Sequence, residues 1–260
     1  MIVRIKYLAE GKKMEDSMKK LWTILLALVL AAALAACGIP TETTTDPDET
    51  TTRPDAAPTA PQHQIVPISE AQVGSYVLFG SYEQDNDTAN GKEDIEWLVL
   101  AKEDGRVLLI SGVALDYQPY NTIYASVTWE NCSLRTWLNG TFLSDAFSGS
   151  ERAMIPGVTV SADEDPGDDT TDQVFLLSIA EANKYFGSDS ARQCRGTAYC
   201  YAKAADKAGN ENCGWWLRSH GGNSYASAYV RSGGSVSSEG RNVRSDDIAV
   251  RPALWIDLGA

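Results

Sequence analysis

The sequence predicts a single α+β domain over residues 65–260. Segments rich in β-branched and aromatic residues occupy both ends of this region, and helical spacing dominates its middle. No second linker or internal repeat interrupts it, and about two hundred residues suit one domain with a proper core.

Three strands come first: VGSYVLFGSY (73–82), IEWLVLAKE (95–103) and RVLLISG (106–112). Asp104-Gly105 between the last two is a hairpin turn signal. The loop EQDNDTANGKED (83–94) invites a calcium reading, but neither EF-hand register fits. From Asp85 the sixth position is Asn90, and from Asn86 the twelfth is Trp97. A solvated hairpin loop is expected there, and the same for ADEDPGDDTTD (162–172).

Helical spacing follows in TWENCSLRTWLNGTFLSDAF (128–147). Leu134, Trp137 and Leu138 share one face; Phe142, Leu143, Ala146 and Phe147 make another, with Gly140 expected to separate two short helices. QVFLL (173–177) reads as a short buried strand. SIAEANKYFG (178–187) opens on a capping box, Ser178 to Glu181, and stops at glycine.

Ahead of the domain, residues 18–38 read MKKLWTILLALVLAAALAACG. A basic pair, a short apolar run and small residues before a cut make a secretory signal over residues 1–36, with Met18 the expected true start. The Leu-Ala-Ala-Cys ending resembles a bacterial lipobox, which implies lipid on Cys37 and an extracytoplasmic, membrane-anchored protein. Residues 37–64 are rich in Thr, Pro and Asp, a composition that offsets little chain entropy and suits an extended tether.

The chain carries a net charge of −13, and removing residues 1–36 takes away six basic but only three acidic residues. That balance disfavours nucleic acid or anionic lipid as the main partner. Besides Cys37 there are Cys132, Cys194, Cys200 and Cys213, which permit two disulfides or remain as buried thiols. A Cys3His site with His220 is the weaker alternative.

Common chemistries find little to work with. The two histidines are His63 and His220, and no phosphate-cradling glycine loop or HExxH occurs. The chain reads as a non-enzyme with no cofactor and no metal. Carboxylates are plentiful, so a glycosidase stays as a distant third reading.

Residues 225–247, YASAYVRSGGSVSSEGRNVRSDD, lie between the apolar blocks GWWLRS (214–219) and IAVRPALWI (248–256). Ala226, Ala228 and Val230 alternate with Tyr225, Ser227, Tyr229 and Arg231, which predicts a half-buried strand with the polar set outward. Turns are expected at 231–234 and 239–242, with Val236 and Val243 as the next inward anchors. The outward palette of Tyr, Ser, Gly, Asn and Arg is that of recognition loops. It also fits an AAC codon randomised at both adenines. Between Ser219 and Ile248 there is no Lys, Gln, Met or Trp, and Glu239 is the one Glu.

The motifs VGSYVLFGSY, IEWLVL, SLRTWLNGTFLSDAF, VFLLSIAEANKYF and GWWLRS…AVRPALWIDL resemble a bacterial extracellular family of unknown function, across essentially all of residues 65–260. The ending is also similar to variable proteins of diversity-generating retroelements, which have a C-type-lectin-like fold related to the formylglycine-generating-enzyme domain. That resemblance implies a C-type-lectin-like fold in which Trp215, Trp216, Leu217, Val250, Arg251, Pro252 and Leu254 are scaffold. It implies ligand binding by His220, Asn223, Tyr225, Ser227, Tyr229, Arg231, Ser235, Ser237, Arg241, Asn242, Arg244, Asp246 and Asp247. The partner would be a protein or another cell-surface ligand. The alternative is a static glycan or cell-wall binding module. No cysteine follows Cys213 to act as a formylglycine-generating pair, and no EPN, QPD or WND-like calcium-lectin motif occurs.

Overall fold

The computed structural model describes residues 63–163, 165–204 and 212–259. The signal segment, Cys37 and the tether up to residue 62 lie outside them. The chain divides into two units, Met1–Pro58 and Thr59–Ala260, and the described residues belong to the second.

The three expected strands form a meander: β1 (Tyr76–Tyr82), β2 (Glu93–Glu103) and β3 (Arg106–Ser111). Asp104 and Gly105 turn the chain with φ of 49° and 75°, as a two-residue hairpin requires. Gly80 interrupts β1. It has φ 68°, and a Cβ there would lie 2.5 Å from the Phe147 ring, so the strand bulges where the helical layer presses on it.

A two-residue strand, β4 (Asp116–Tyr117), precedes the helical region. Gly140 does not separate two helices as expected. Helix α1 (Ser133–Trp137) runs through a π-helical segment (Leu138–Phe142) into α2 (Leu143–Ala146). The wider turn carries both apolar faces into the core in one continuous rod: Leu134, Leu138, Phe142, Leu143 and Ala146 are all buried. Next come α3 (Gly149–Met154), the hairpin β5 (Val158–Val160) with β6 (Thr170–Asp172), and β7 (Val174–Phe175).

Helix α4 (Ile179–Tyr185) has the expected capping box, with the Ser178 amide donating to Glu181 and the Glu181 amide to Ser178 Oγ. Two short helices follow, α5 (Asp189–Arg192) and α6 (Ala198–Lys203). Then come β8 (Trp215–His220), β9 (Ala226–Val230), β10 (Val236–Asn242), β11 (Ala249–Val250) and β12 (Ala253–Asp257).

The strands make two five-stranded sheets. One runs β1-β2-β3-β12-β7 and is antiparallel throughout; the other runs β10-β9-β8-β11-β4, with only the β8–β11 pair parallel. This is a mixed α+β fold of antiparallel sheets and a few short helices.

The acidic stretch 162–172 is not simply solvated. Asp172 at its end is 2% exposed and accepts from Trp129 Nε1 (3.0 Å), Arg135 Nε (2.7 Å), Asn139 Nδ2 (3.2 Å) and Thr170 Oγ1 (2.6 Å). Four donors around one buried carboxylate tie α1 to β6 and satisfy a charge that would otherwise be costly to bury.

All four cysteines of the domain are buried thiols, so the expectation of two disulfides gives way to its alternative. Cys132 is used as the cap of α1, accepting from the Arg135 amide at 3.4 Å, and burial pushes its thiol up to about 12. Cys213 donates from its backbone amide to Cys194 O at 2.8 Å. Burial alone would raise the Cys194 thiol, but a hydrogen bond from Cys213 and the Arg251 charge hold it below its usual range.

Val250 and Ala253 lie in different sheets, and Arg251 and Pro252 are the junction between them. Arg251 is 3% exposed. Its Nε donates to Ser111 O at 2.9 Å, and its guanidinium carbon lies 5.2 Å from the Trp215 ring and 5.3 Å from that of Phe186. Its Nη1 has no hydrogen-bond acceptor, so ring faces supply much of what water gave up. Arg251→Met should keep the volume but leave Ser111 O unpaired. It should lower stability by about 3 kcal/mol, roughly 6–12 °C in Tm for a domain of this size. A thermal melt within 2 °C or so of wild type would show that the junction does not need the charge.

Candidate binding face

The segment between His220 and Asp247 is held by backbone hydrogen bonds at every change of direction. The first expected turn is present: the Gly234 amide donates to Arg231 O (2.7 Å) and the Arg231 amide to Ser235 O (2.9 Å). The second is displaced. Residues 239–242 stay in β10, which bulges between Ser237 and Arg241 around Gly240 (φ 77°), and the chain turns instead at Asn242–Ser245. Only glycine fits this bulge, because a Cβ at position 240 would strike the Ser227 backbone.

Ala226, Ala228, Val230 and Val243 are buried, as the period of two predicts, while Val236 is half-buried. Two residues expected to face outward do not. Ser227 is 1% exposed, and its hydroxyl lies 3.0 Å from Leu217 O and 3.2 Å from Ser219 O. The β8–β9 register shifts between Trp216 and His220, and the serine supplies a donor where the ladder is irregular. Ser237 is 3% exposed because the Arg231 guanidinium folds back over it, with Nη2 donating to Oγ at 3.0 Å. That same guanidinium lies 5.9 Å from the Tyr229 ring.

What remains outward is narrower. Asn223, Tyr225, Arg231, Arg241, Asn242, Arg244 and Asp246 are exposed; His220, Tyr229, Ser235 and Asp247 are half-buried. Arg241 and Asp247 pair at 2.5 Å, both more than a third exposed, so the pair orients side chains and contributes little stability.

The structure adds two residues to this set. Ile123 and Tyr124 are 69% and 56% exposed, and the Tyr124 ring stacks on Tyr225 with centroids 4.8 Å apart and planes 26° from parallel. Two backbone bonds hold loop 121–127 against the polar segment, Asn121 N to Val243 O (2.7 Å) and Val127 N to Ser224 O (3.1 Å), and Val243 N to Tyr225 O (3.0 Å) ties that segment to itself. The sequence signal was faint: an Ile-Tyr pair inside the otherwise polar stretch NTIYAS, with neither strand nor helix period.

Beneath the face lies a small open cleft, lined in part by Tyr120, Trp129, Glu130, Asp165, Asp168, Arg218 and His220. Its buried guanidinium is already engaged. Arg218 is 5% exposed and donates to Glu181, to Leu176 O (3.0 Å) and to Ser161 O (3.2 Å). Glu130 accepts from the Asp168 amide at 3.3 Å. His220 therefore stands among carboxylates rather than cysteines. Among the described residues the one group of metal-ligand size is Glu83, Asp85 and Glu93, which leaves no Cys3His site.

The residues expected as scaffold are all buried. Trp215 and Trp216 are both fully covered, with their indole N–H groups donating to Arg192 O and Gln118 O, each at 3.0 Å. Both are core, which removes them as a sugar-stacking platform.

Fold and face together describe an α+β domain that carries an exposed polar and aromatic patch at the β10 end of a five-stranded sheet. The chain belongs to the family described as domain of unknown function DUF6273, which matches residues 104–258. The match starts at the Asp104 turn, so it takes in the candidate face and leaves β1 and β2 outside. No curated protein and no solved structure matches the chain.

A variant with Tyr225, Arg241, Asn242 and Arg244 all changed to Ser should melt within a few degrees of wild type, since exposed substitutions shift stability by about 0.5 kcal/mol or less each. Ser227→Ala should cost about 1–3 kcal/mol by leaving buried carbonyls unpaired. The reverse ranking in thermal melts would mean that the outer side chains are structural.

Proposed function

We propose that the domain is a non-enzymatic binding module of the cell surface, which takes a protein or other surface partner on the face around Tyr225. One observation carries this reading: two exposed tyrosines stacked on each other, fixed by backbone hydrogen bonds and bordered by exposed Asn and Arg. Rigid aromatic anchors with adaptable polar neighbours are what recognition surfaces use.

Support for a retroelement-diversified variable protein with a C-type-lectin-like fold comes from the sequence ending. The WWLRS and VRPALW blocks are buried, and most of the variable-looking positions between them are exposed or half-buried. A static glycan or cell-wall module is the second reading, favoured by the accessible Tyr124 ring. A glycosidase has less support. The buried Asp116 and Asp172 are both fully engaged, Asp116 by Tyr82 (2.8 Å) and Lys203 (2.6 Å).

A membrane anchor at Cys37 with residues 37–64 as tether would hold this face away from the bilayer. The acidic chain would keep it from nucleic acid.

Panels of purified surface proteins and of glycans, screened by biolayer interferometry, test the face. Any ligand found should lose about 30-fold or more in affinity on Tyr124→Ala or Tyr225→Ala, equivalent to about 2 kcal/mol, with no change in Tm. Full retention of affinity in both variants would place the site elsewhere, and loss only on glycans would favour the second reading. Separately, Cys37→Ser should release the protein from the membrane fraction or block its processing. Unchanged fractionation and an unchanged cleavage site would overturn the anchor.

A further inference from the structure

The loop between β1 and β2 was expected to be solvated, yet its first residue is not. Glu83 is 8% exposed, and its Oε1 is buried with no hydrogen-bond partner. A carboxylate oxygen of Glu83, one of Asp85 and one of Glu93 lie within 4.8 Å of one another. Among the described residues no Lys, Arg or His forms an ion pair with any of the three. Lys92, the cation in the same loop, is turned away, with its Nζ donating to Asp145 O at 2.6 Å.

Three carboxylates crowded together, one of them buried, are unfavourable without a positive charge among them. We propose that Glu83, Asp85 and Glu93 form a calcium site at the mouth of the β1–β2 hairpin. The spacing agrees: oxygens bound to one Ca²⁺ at about 2.4 Å lie no more than about 4.8 Å apart. An oxygen-only set excludes the softer metals that prefer nitrogen and sulfur. Two carboxylates on an irregular loop and one at the start of β2 suit the variable coordination of Ca²⁺ better than the strict octahedron of Mg²⁺, which keeps most of its waters.

The ligands are already oriented by bonds that leave lone pairs to spare. Asp85 accepts from the Asp87 amide (2.8 Å) and Asn90 Nδ2 (2.7 Å), and Glu93 Oε2 accepts from the Gln84 amide (2.6 Å). Glu83 also accepts from the Asn86 backbone, while burial and the Glu93 charge raise its carboxyl above the usual range. The hairpin mouth is also joined to α6, because the Tyr199 amide donates to Gln84 O at 2.9 Å. A bound cation would therefore lock β1, β2 and α6 together. None of this follows an EF-hand register, which is why ligand counting along the sequence missed it.

Isothermal titration calorimetry and thermal melts of the full chain, with CaCl2, MgCl2 or chelator, test the site. Ca²⁺ should bind one equivalent with Kd of about 0.1–1 mM, the range of extracellular modules, and should raise Tm; Mg²⁺ should do neither at the same concentration. Glu83→Gln should abolish both effects while raising the metal-free Tm, since it relieves the crowding of like charge. Asp85→Asn, at an exposed residue, should weaken Ca²⁺ by about tenfold or more and serves if Glu83→Gln fails to fold. Asp168→Asn with Asp169→Asn, in the other acidic loop, should leave binding unchanged. The proposal fails if Ca²⁺ gives no heat and no Tm shift at about 10 mM, ten times the weakest expected Kd. It fails equally if both ligand variants respond like wild type, which would mean general screening of an acidic surface, or if Mg²⁺ matches Ca²⁺.

Discussion

A buried guanidinium at the join of two sheets is the constraint on which the rest of this fold depends. Arg251 sits one residue from β11 and two from β12, so its position fixes where one sheet ends and the other begins. Burying an Arg without a carboxylate partner is costly, and the fold offsets that cost with the Ser111 carbonyl and two aromatic faces. Pro252 adjoins it, lacking an amide that would need a partner, while its carbonyl accepts from Ser111 N at 3.0 Å. Ser111 thus meets the junction through both its N–H and its C=O. The end of β3 and the start of β12 are registered by one residue.

From this junction the order extends outward to the face. β11 pairs β8 through Ala249 and Trp215, and β8 carries β9 and then β10. Each step away from the core exchanges large buried side chains for small ones: Trp215 and Trp216 on β8, Ala226 and Ala228 on β9, then a β10 with only Ser237 fully covered. The edge strand β10 is bulged and charged, as unpaired edges tend to be when they must stay unpaired. Its exposed side chains can change with little effect on the sheet beneath, because the sheet is held by backbone bonds and by alanine-sized contacts. That separation of support from display is a property of the packing, whatever the ligand.

Much of this was legible in the sequence. The β1–β3 meander, the Asp104-Gly105 turn and the Ser178 capping box depend on neighbours in sequence, and local composition announced them. The Ala-Ala-Val alternation of β9 was equally plain. What stayed hidden depended on partners far along the chain. Ser227 follows the pattern of an outward residue and is turned to use by an irregular ladder; Arg231 looks like a free contact and folds over Ser237. Gly140 looked like a break because a π-helical segment leaves no compositional mark. Tyr124 joins the face through its stacking on Tyr225 and through its loop's backbone bonds to residues 224 and 243, about a hundred positions away. Glu83 belonged to a stretch so acidic that solvation was the natural expectation, and one residue's burial cannot be read from its neighbours' charge.

The strand order has a consequence for how the protein is made. β11 and β12 are the last strands in the chain, yet each lies inside a five-stranded sheet rather than at an edge. Until they leave the ribosome, β3 and β8 each have an open side, and β7 and β4 have no sheet to join. The early hairpins can form alone, but neither sheet can close before β11 and β12 have been made. A fold completed by β11 and β12 stays open until both have been made. The same order leaves hydrophobic edges uncovered for longest, which is where a chaperone would be expected to bind.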